Sequence, residues 1–229
     1  MKLLAIDTAT EACSAALLLG DCVLTRYEEP RRAHAERILP MVDELLAESG
    51  ASLASLDAIA FGRGPGAFTG LRIAAGVVQG LAFGAGLPVI PVSNLAALAE
   101  RAFIEHAVSV VIACFDARMA EVYWCAYRKG ADATEALGPE RVMSPAQVDL
   151  SPFPIERATW FGAGTGFAAY QGLGPRLGLA PARIAGTMLP RAAEVARIGA
   201  REWVAGRARP PEEALPVYLR DQVAVMPRR

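Results

Sequence analysis

The chain has 229 residues, enough for one or two domains and a self-sufficient core. Its net charge of −1 argues against a protein that grips nucleic acid alone, because phosphate binding calls for a basic face. Hydrophobic residues make up 53% but aromatics only 7%, so the apolar content is largely Ala, Leu and Val.

In chain order, "KLLAID" (residues 2–7) reads as a buried strand ending in an acid. "CSAALLLG" and "CVLTRYEE" follow as strands joined at Gly20 and Asp21, so the chain opens as an antiparallel meander. His34–Ser49 has a helical period, with Ala35, Ile38, Leu39, Val42, Leu45 and Leu46 on one face. Gly50 is the expected stop, and Pro40 is expected to kink this helix or mark its true start. A strand over 58–62 leads into a glycine loop and a helix over 68–84. After a strand over 88–92, Ser93 is placed to cap a helix that buries Leu95, Leu98, Ala99 and Ala102.

The second half begins like the first. Residues 109–116 form a strand ending in Asp116, "ARMA" is a turn, and "EVYWCAYR" returns. Ser144 with Gln147 matches a helix start with a capping box. "TWFGAGTGFAAY" is a strand running into glycines and a helix, and residues 190–205 form a terminal amphipathic helix. No linker divides the halves, so two packed lobes are expected.

Cys13, Cys22, Cys114 and Cys125 form no CxxC pair and sit in strand-like runs, where cysteine acts as a small buried hydrophobe. With Lys2, Asp7 and Glu11 at the start in place of a leader, a reduced, cytoplasmic protein is expected. The apolar run 73–92 is interrupted by Gln79, Pro88 and Pro91, so a soluble helix and a buried strand explain it better than a membrane span. "MPRR" reads as a solvated basic end.

A strand ending in Asp, a tight turn and a returning strand resembles the phosphate hairpin of the actin, hexokinase and Hsp70 superfamily. The expected fold class is therefore α/β, with two duplicated actin-like lobes, each a mixed sheet with helices. The lobes would span 1–106 and 107–229, with the option that the C-terminal helix packs back on the first. Active members of that superfamily place Gly in the turn, where backbone N–H groups approach phosphate. Here Asp7-Thr8-Ala9-Thr10 has Ala9 in that place, and Asp116-Ala117-Arg118-Met119 has no Gly. Asp7, Thr8 and Thr10, with Gly162 and Gly164 of "GAGTG" on the adenosine side, make an eroded nucleotide site at most.

Other chemistry finds less support. "GRGPGAFTGLRIAAG" (62–76) is not a Walker A loop, because no Lys follows at the required spacing. Its GxGxG spacing is not the dinucleotide fingerprint. Only His34 and His106 are available for metal, with no HExxH or HxxxH pattern, and no GxSxG occurs. Gly76, Gly80 and Gly84 recur every fourth residue, which costs a helix about 2–3 kcal/mol in all. Close approach of another helix would offset that cost. Packing against His34–Ser49 and a subunit interface both remain open.

Five stretches together resemble the TsaB family, formerly YeaZ: "LAIDTATEACSAAL", "HAERILPMVDELL", "GRGPGAFTGLRIAAGVVQGLAFG", "DARMAEVYWCAY" and "PVYLRDQVA". The resemblance covers nearly the whole chain in the same order. It implies a non-catalytic subunit of the machinery that makes threonylcarbamoyladenosine in tRNA. Such a subunit binds and activates the catalytic paralogue TsaD and helps recruit the ATPase TsaE. It forms homodimers in isolation, and it touches tRNA only indirectly and no membrane. TsaD holds its metal with an HxxxH pair; the matching segment here starts at His34 and lacks the second His. No cofactor is implied for the chain alone, with ATP or ADP entering only in the complex. Both pairings are thought to use the first lobe's helices. The face implied here comprises Leu39, Val42, Leu46, Phe68, Leu71, Arg72, Gly76, Gly80, Phe83 and Gly84. The rival readings are an ATP-dependent phosphotransferase of the same fold, with Asp7 and Thr10 at the phosphates, and a metalloprotease using His34.

Overall fold

The structure, a computed structural model, describes residues 1–29 and 33–220. The basic end "MPRR" and the last residues of "PVYLRDQVA" therefore lie outside the described residues.

Each half is built on one mixed sheet. In the first, β1 (Lys2–Asp7) pairs antiparallel with β2 (Cys13–Leu19), and β2 with β3 (Cys22–Glu28). On its other edge β1 runs parallel to β4 (Ala58–Gly64), and β4 parallel to β5 (Val89–Ser93). The second sheet repeats this plan: β6 (Val110–Arg118) pairs antiparallel with β7 (Glu121–Lys129), which carries the short strands β8 (Thr134–Ala136) and β9 (Arg141–Met143). On its other side β6 runs parallel to β10 (Trp160–Ala163), and β10 to β11 (Ile184–Ala185). The matching strand order makes the fold a duplicated, actin-like α/β architecture.

Both faces of the first sheet are covered, which is why β1 is apolar without alternation. Leu4 and Ile6 face α1 (His34–Ser49) and α2 (Phe68–Ala85). Ile38, Met41, Val42 and Leu45 of α1 are buried there, worth about 1.5–3 kcal/mol each. Leu3 and Ala5 face the opposite way, onto α6 (Ala192–Val204). The terminal helix therefore covers the first sheet. Conversely α3 (Asn94–Glu105) lays Leu95, Leu98, Ala99, Ala102 and Phe103 onto Val111, Ala113 and Phe115 of the second. The far face of that sheet packs on α4 (Thr165–Ala169) and α5 (Leu173–Arg176) through Phe167 and Leu173.

Several sequence expectations need correction. α1 starts at His34 and runs through Pro40, which forgoes one backbone hydrogen bond inside it. Ser144 caps a single 3-10 turn, Pro145–Gln147, not a longer helix. Cys22 is exposed, because it starts the edge strand β3, while the other three cysteines are buried. By length and composition α2 passes for a membrane span, but its inner side is built into the core with Ala74, Val78 and Ala82.

Candidate functional site

β1 ends on Asp7, where a phosphate hairpin would begin. The turn is already filled from within. Asp7 is 1% exposed; its carboxylate accepts the Ala9 N–H at 2.9 Å and Asn94 Nδ2 at 2.9 Å on both oxygens. Asn94 Oδ1 in turn accepts the Gly64 N–H at 2.7 Å. Thr8, fully buried, donates to the Gly70 carbonyl at 2.7 Å. The Ala67 N–H donates to the Ala9 carbonyl at 2.7 Å.

The glycine loop 62–70 thus lies directly on the Asp7 hairpin, and this explains its composition. A Cβ on Gly62 would stand 2.5 Å from Asn94 Nδ2 and 2.8 Å from Asp7 Oδ1. On Gly66 and Gly70 it would overlap the carbonyls of Ala9 and Thr8. These glycines let a second surface come close, and that surface is the chain's own hairpin. Burial pushes the Asp7 carboxyl up to about 6, against the Ala9 and Asn94 bonds and with the help of Glu194.

The second hairpin is more open. Asp116 Oδ1 accepts the Arg118 N–H at 2.8 Å and the Tyr170 hydroxyl at 3.2 Å, and Oδ2 pairs with the Arg118 guanidinium at 3.0 Å. Its own N–H donates to Thr165 Oγ1 at 3.1 Å. The glycines beside it serve packing. Gly164, at φ 107°, turns the chain over the Cys114 carbonyl, and Gly162 leaves room for the Phe167 ring.

Between the hairpins lies a cleft of about 1660 Å³. Of the five residues expected at a nucleotide site, Thr10 alone is part-exposed at its rim. Asp7, Thr8, Gly162 and Gly164 are buried in internal contacts, and of these Thr8 also lines the cleft. The sequence reading missed Thr165, Tyr218 and Arg220 around the cleft, and Tyr170 on Asp116 beside it. Only "PVYLRDQVA" hinted at Tyr218 and Arg220. His34 Nε2 sits 3.0 Å from the Thr10 carbonyl, a bond between α1 and the first hairpin. No group of three His, Cys, Asp or Glu side chains suited to a metal occurs among the described residues. Burial pushes the Cys13 and Cys125 thiols up to about 11, and Cys114 higher still, so none is poised as a thiolate nucleophile.

The outer face of α2 is the other candidate. Gly76, Gly80 and Gly84 are exposed, and a Cβ on any of them would meet nothing within 4 Å. The glycine stripe therefore does not pack on α1. Phe83 is 62% exposed, Phe68 48% and Leu39 of α1 44%; Arg72 is exposed and lies over the Phe68 ring at 3.8 Å. Leu46 is half-buried against the core. Val42 and Leu71 are core residues, turned inward with Leu45 and Ala74, and are removed from the expected face.

Residues 27–179 match the family profile described as TsaD, tRNA N6-adenosine threonylcarbamoyltransferase. The chain is 42% identical to the tRNA threonylcarbamoyladenosine biosynthesis protein TsaB of Escherichia coli K12, over 98% of this chain and 96% of that protein. It is 43% identical to TsaB of Haemophilus influenzae, over 97% and 95%. The solved structure of YeaZ from Pseudomonas aeruginosa is similar with a TM-score of 0.88 at 48% identity, covering 95% of this chain and 99% of that one.

Proposed function

Because the chain belongs to the TsaB (YeaZ) family, we propose that it serves tRNA threonylcarbamoyladenosine biosynthesis as a non-catalytic subunit. It binds and activates a TsaD-like catalytic subunit and helps bring in a TsaE-like ATPase. Alone it forms a homodimer; it acts in the cytoplasm and reaches tRNA only through the complex. The observation that carries this reading is the contrast between the two glycine sets. The hairpin where an actin-like enzyme would hold phosphate is closed by the chain's own Gly62–Gly70 contacts. The outer face of α2 keeps three glycines that no contact among the described residues requires. Each interior glycine costs about 0.5–1 kcal/mol, and a closely packed partner helix supplies the offset.

The test is Gly80→Leu. The new side chain projects from an exposed helical position and improves helix propensity, so the free chain keeps its fold. Affinity for the TsaD-like protein, measured by calorimetry, is expected to fall at least about tenfold, and modification in a reconstituted assay to fall with it. Unchanged affinity together with an intact homodimer would overturn the interface. The same instrument addresses nucleotide. The isolated chain is expected to show no micromolar affinity for ATP, which enters only with the complex.

A further inference from the structure

Residues 214–220 cross from one half of the molecule to the other. Ala214 is fully buried with the core beneath α2. The Val217 N–H donates to the Arg63 carbonyl at 2.7 Å, and a Cβ on Gly64 would stand 2.7 Å from the Val217 carbonyl. The Tyr218 ring lies 5.5 Å from the Phe68 ring, and its hydroxyl accepts from Arg72 Nε at 3.2 Å. Two residues on, Arg220 reaches the second half. Its guanidinium donates to the Ala117 carbonyl at 3.1 Å, pairs with Glu121, and lies 3.5 Å from Met119 Sδ. The Arg220 side chain is only 16% exposed.

Those contacts bracket a turn held in an unfavourable shape. Arg118, Met119 and Ala120 have φ of 60°, 54° and 59°, three successive non-glycine residues in the left-handed region. Each keeps that conformation only while its surroundings enforce it. The turn forms one lip of the cleft, and Met119 is 61% exposed there. Within the hairpin the Arg118–Glu121 strand pairing and the Asp116–Arg118 contacts restrain it, and across the cleft Glu11 stands 3.8 Å from Arg118.

We propose that residues 214–220 are an interlobe latch. Anchored on β4 and α2 through Val217 and Tyr218, the segment uses Arg220 to hold the β6–β7 turn and so sets the opening of the cleft. When the anchor on α2 lets go, Arg220 loses its purchase, the turn relaxes towards ordinary backbone and the cleft wall shifts.

Hydrogen exchange followed by mass spectrometry on the full chain tests this. Tyr218→Ala removes the anchor on α2, leaving the Val217 bond to β4 and the hairpin itself untouched. Amides 117–121 are expected to exchange at least about tenfold faster, while those of β1 and β4 stay protected. Arg220→Gln should do the same from the other end, and the double variant should add nothing further. Unchanged exchange at 117–121 in Tyr218→Ala would overturn the latch. So would acceleration shared equally by β1 and β4, which marks global loosening, or full additivity of the two substitutions.

Discussion

Gly70 and Gly80 sit on one helix and serve opposite purposes. Gly70 presses on the Thr8 carbonyl, so backbone would have to move to admit a methyl group. Gly70→Ala is expected to destabilise the chain by about 3 kcal/mol in urea unfolding. Gly80→Ala meets open space and should stabilise the free chain by about 0.5–1 kcal/mol. If the two behaved alike, the inward and outward assignment would be wrong. Asp7 offers a second residue-scale check. Its folded pKa of about 6 lies above the ordinary 3.8, because burial disfavours the charge. The group's contribution to stability is thus fully present below about pH 3.8 and lost as pH rises through about 6. The carboxyl ¹³C signal of Asp7 should titrate with a midpoint near 6; a midpoint at the ordinary value would contradict its burial. Residue types and spacing were legible at this scale. Direction was not, since a glycine reads the same whether it faces a carbonyl or solvent.

At the scale of elements, periodicity was a good guide to where helices and strands lie, because each buried face repeats with its own geometry. It was a poorer guide to which residues of α1 and α2 reach the surface. Leu39 and Val42 are three residues apart, yet the first is 44% exposed and the second 1%. Val42→Asp should therefore abolish cooperative folding by burying an unpaired carboxylate. Leu39→Asp should change stability by no more than about 0.5 kcal/mol. Circular dichroism melts of the two variants separate these outcomes. The 3-10 turn at Pro145–Gln147 shows the opposite limit: Ser144 caps as expected, but no apolar face follows to extend a helix.

Across the whole molecule the two halves exchange helices. α6, late in the chain, closes the first sheet, and α3, from the first half, closes the second. The exchange is tied by Arg201 with Glu100 at 2.9 Å, Arg191 with Glu105 at 2.8 Å, and Arg101 with the Leu189 carbonyl at 2.8 Å. A cut between residues 106 and 107 therefore respects the strands but not the cores. A chain ending at residue 189 would uncover Leu3, Ala5, Ala60 and Ile90. It is expected to lose its sharp unfolding transition and to bind a hydrophobic dye. A single cooperative melt of that truncated chain would refute the exchange as a stability requirement.

By itself the sequence determined the strands, the long helices, the duplication around Asp7 and Asp116, and, through resemblance across nearly the full length, the family. Those features are local or are written into residue order. Tertiary structure alone decided that Gly62, Gly66 and Gly70 face the Asp7 hairpin while Gly76, Gly80 and Gly84 face outward. It also decided that α3 and α6 trade sheets, and that Arg220 reaches the second hairpin from a segment anchored on α2. The physical reason is common to all three. Each depends on which surfaces meet across long stretches of chain, and a residue's type and spacing carry no record of its partner.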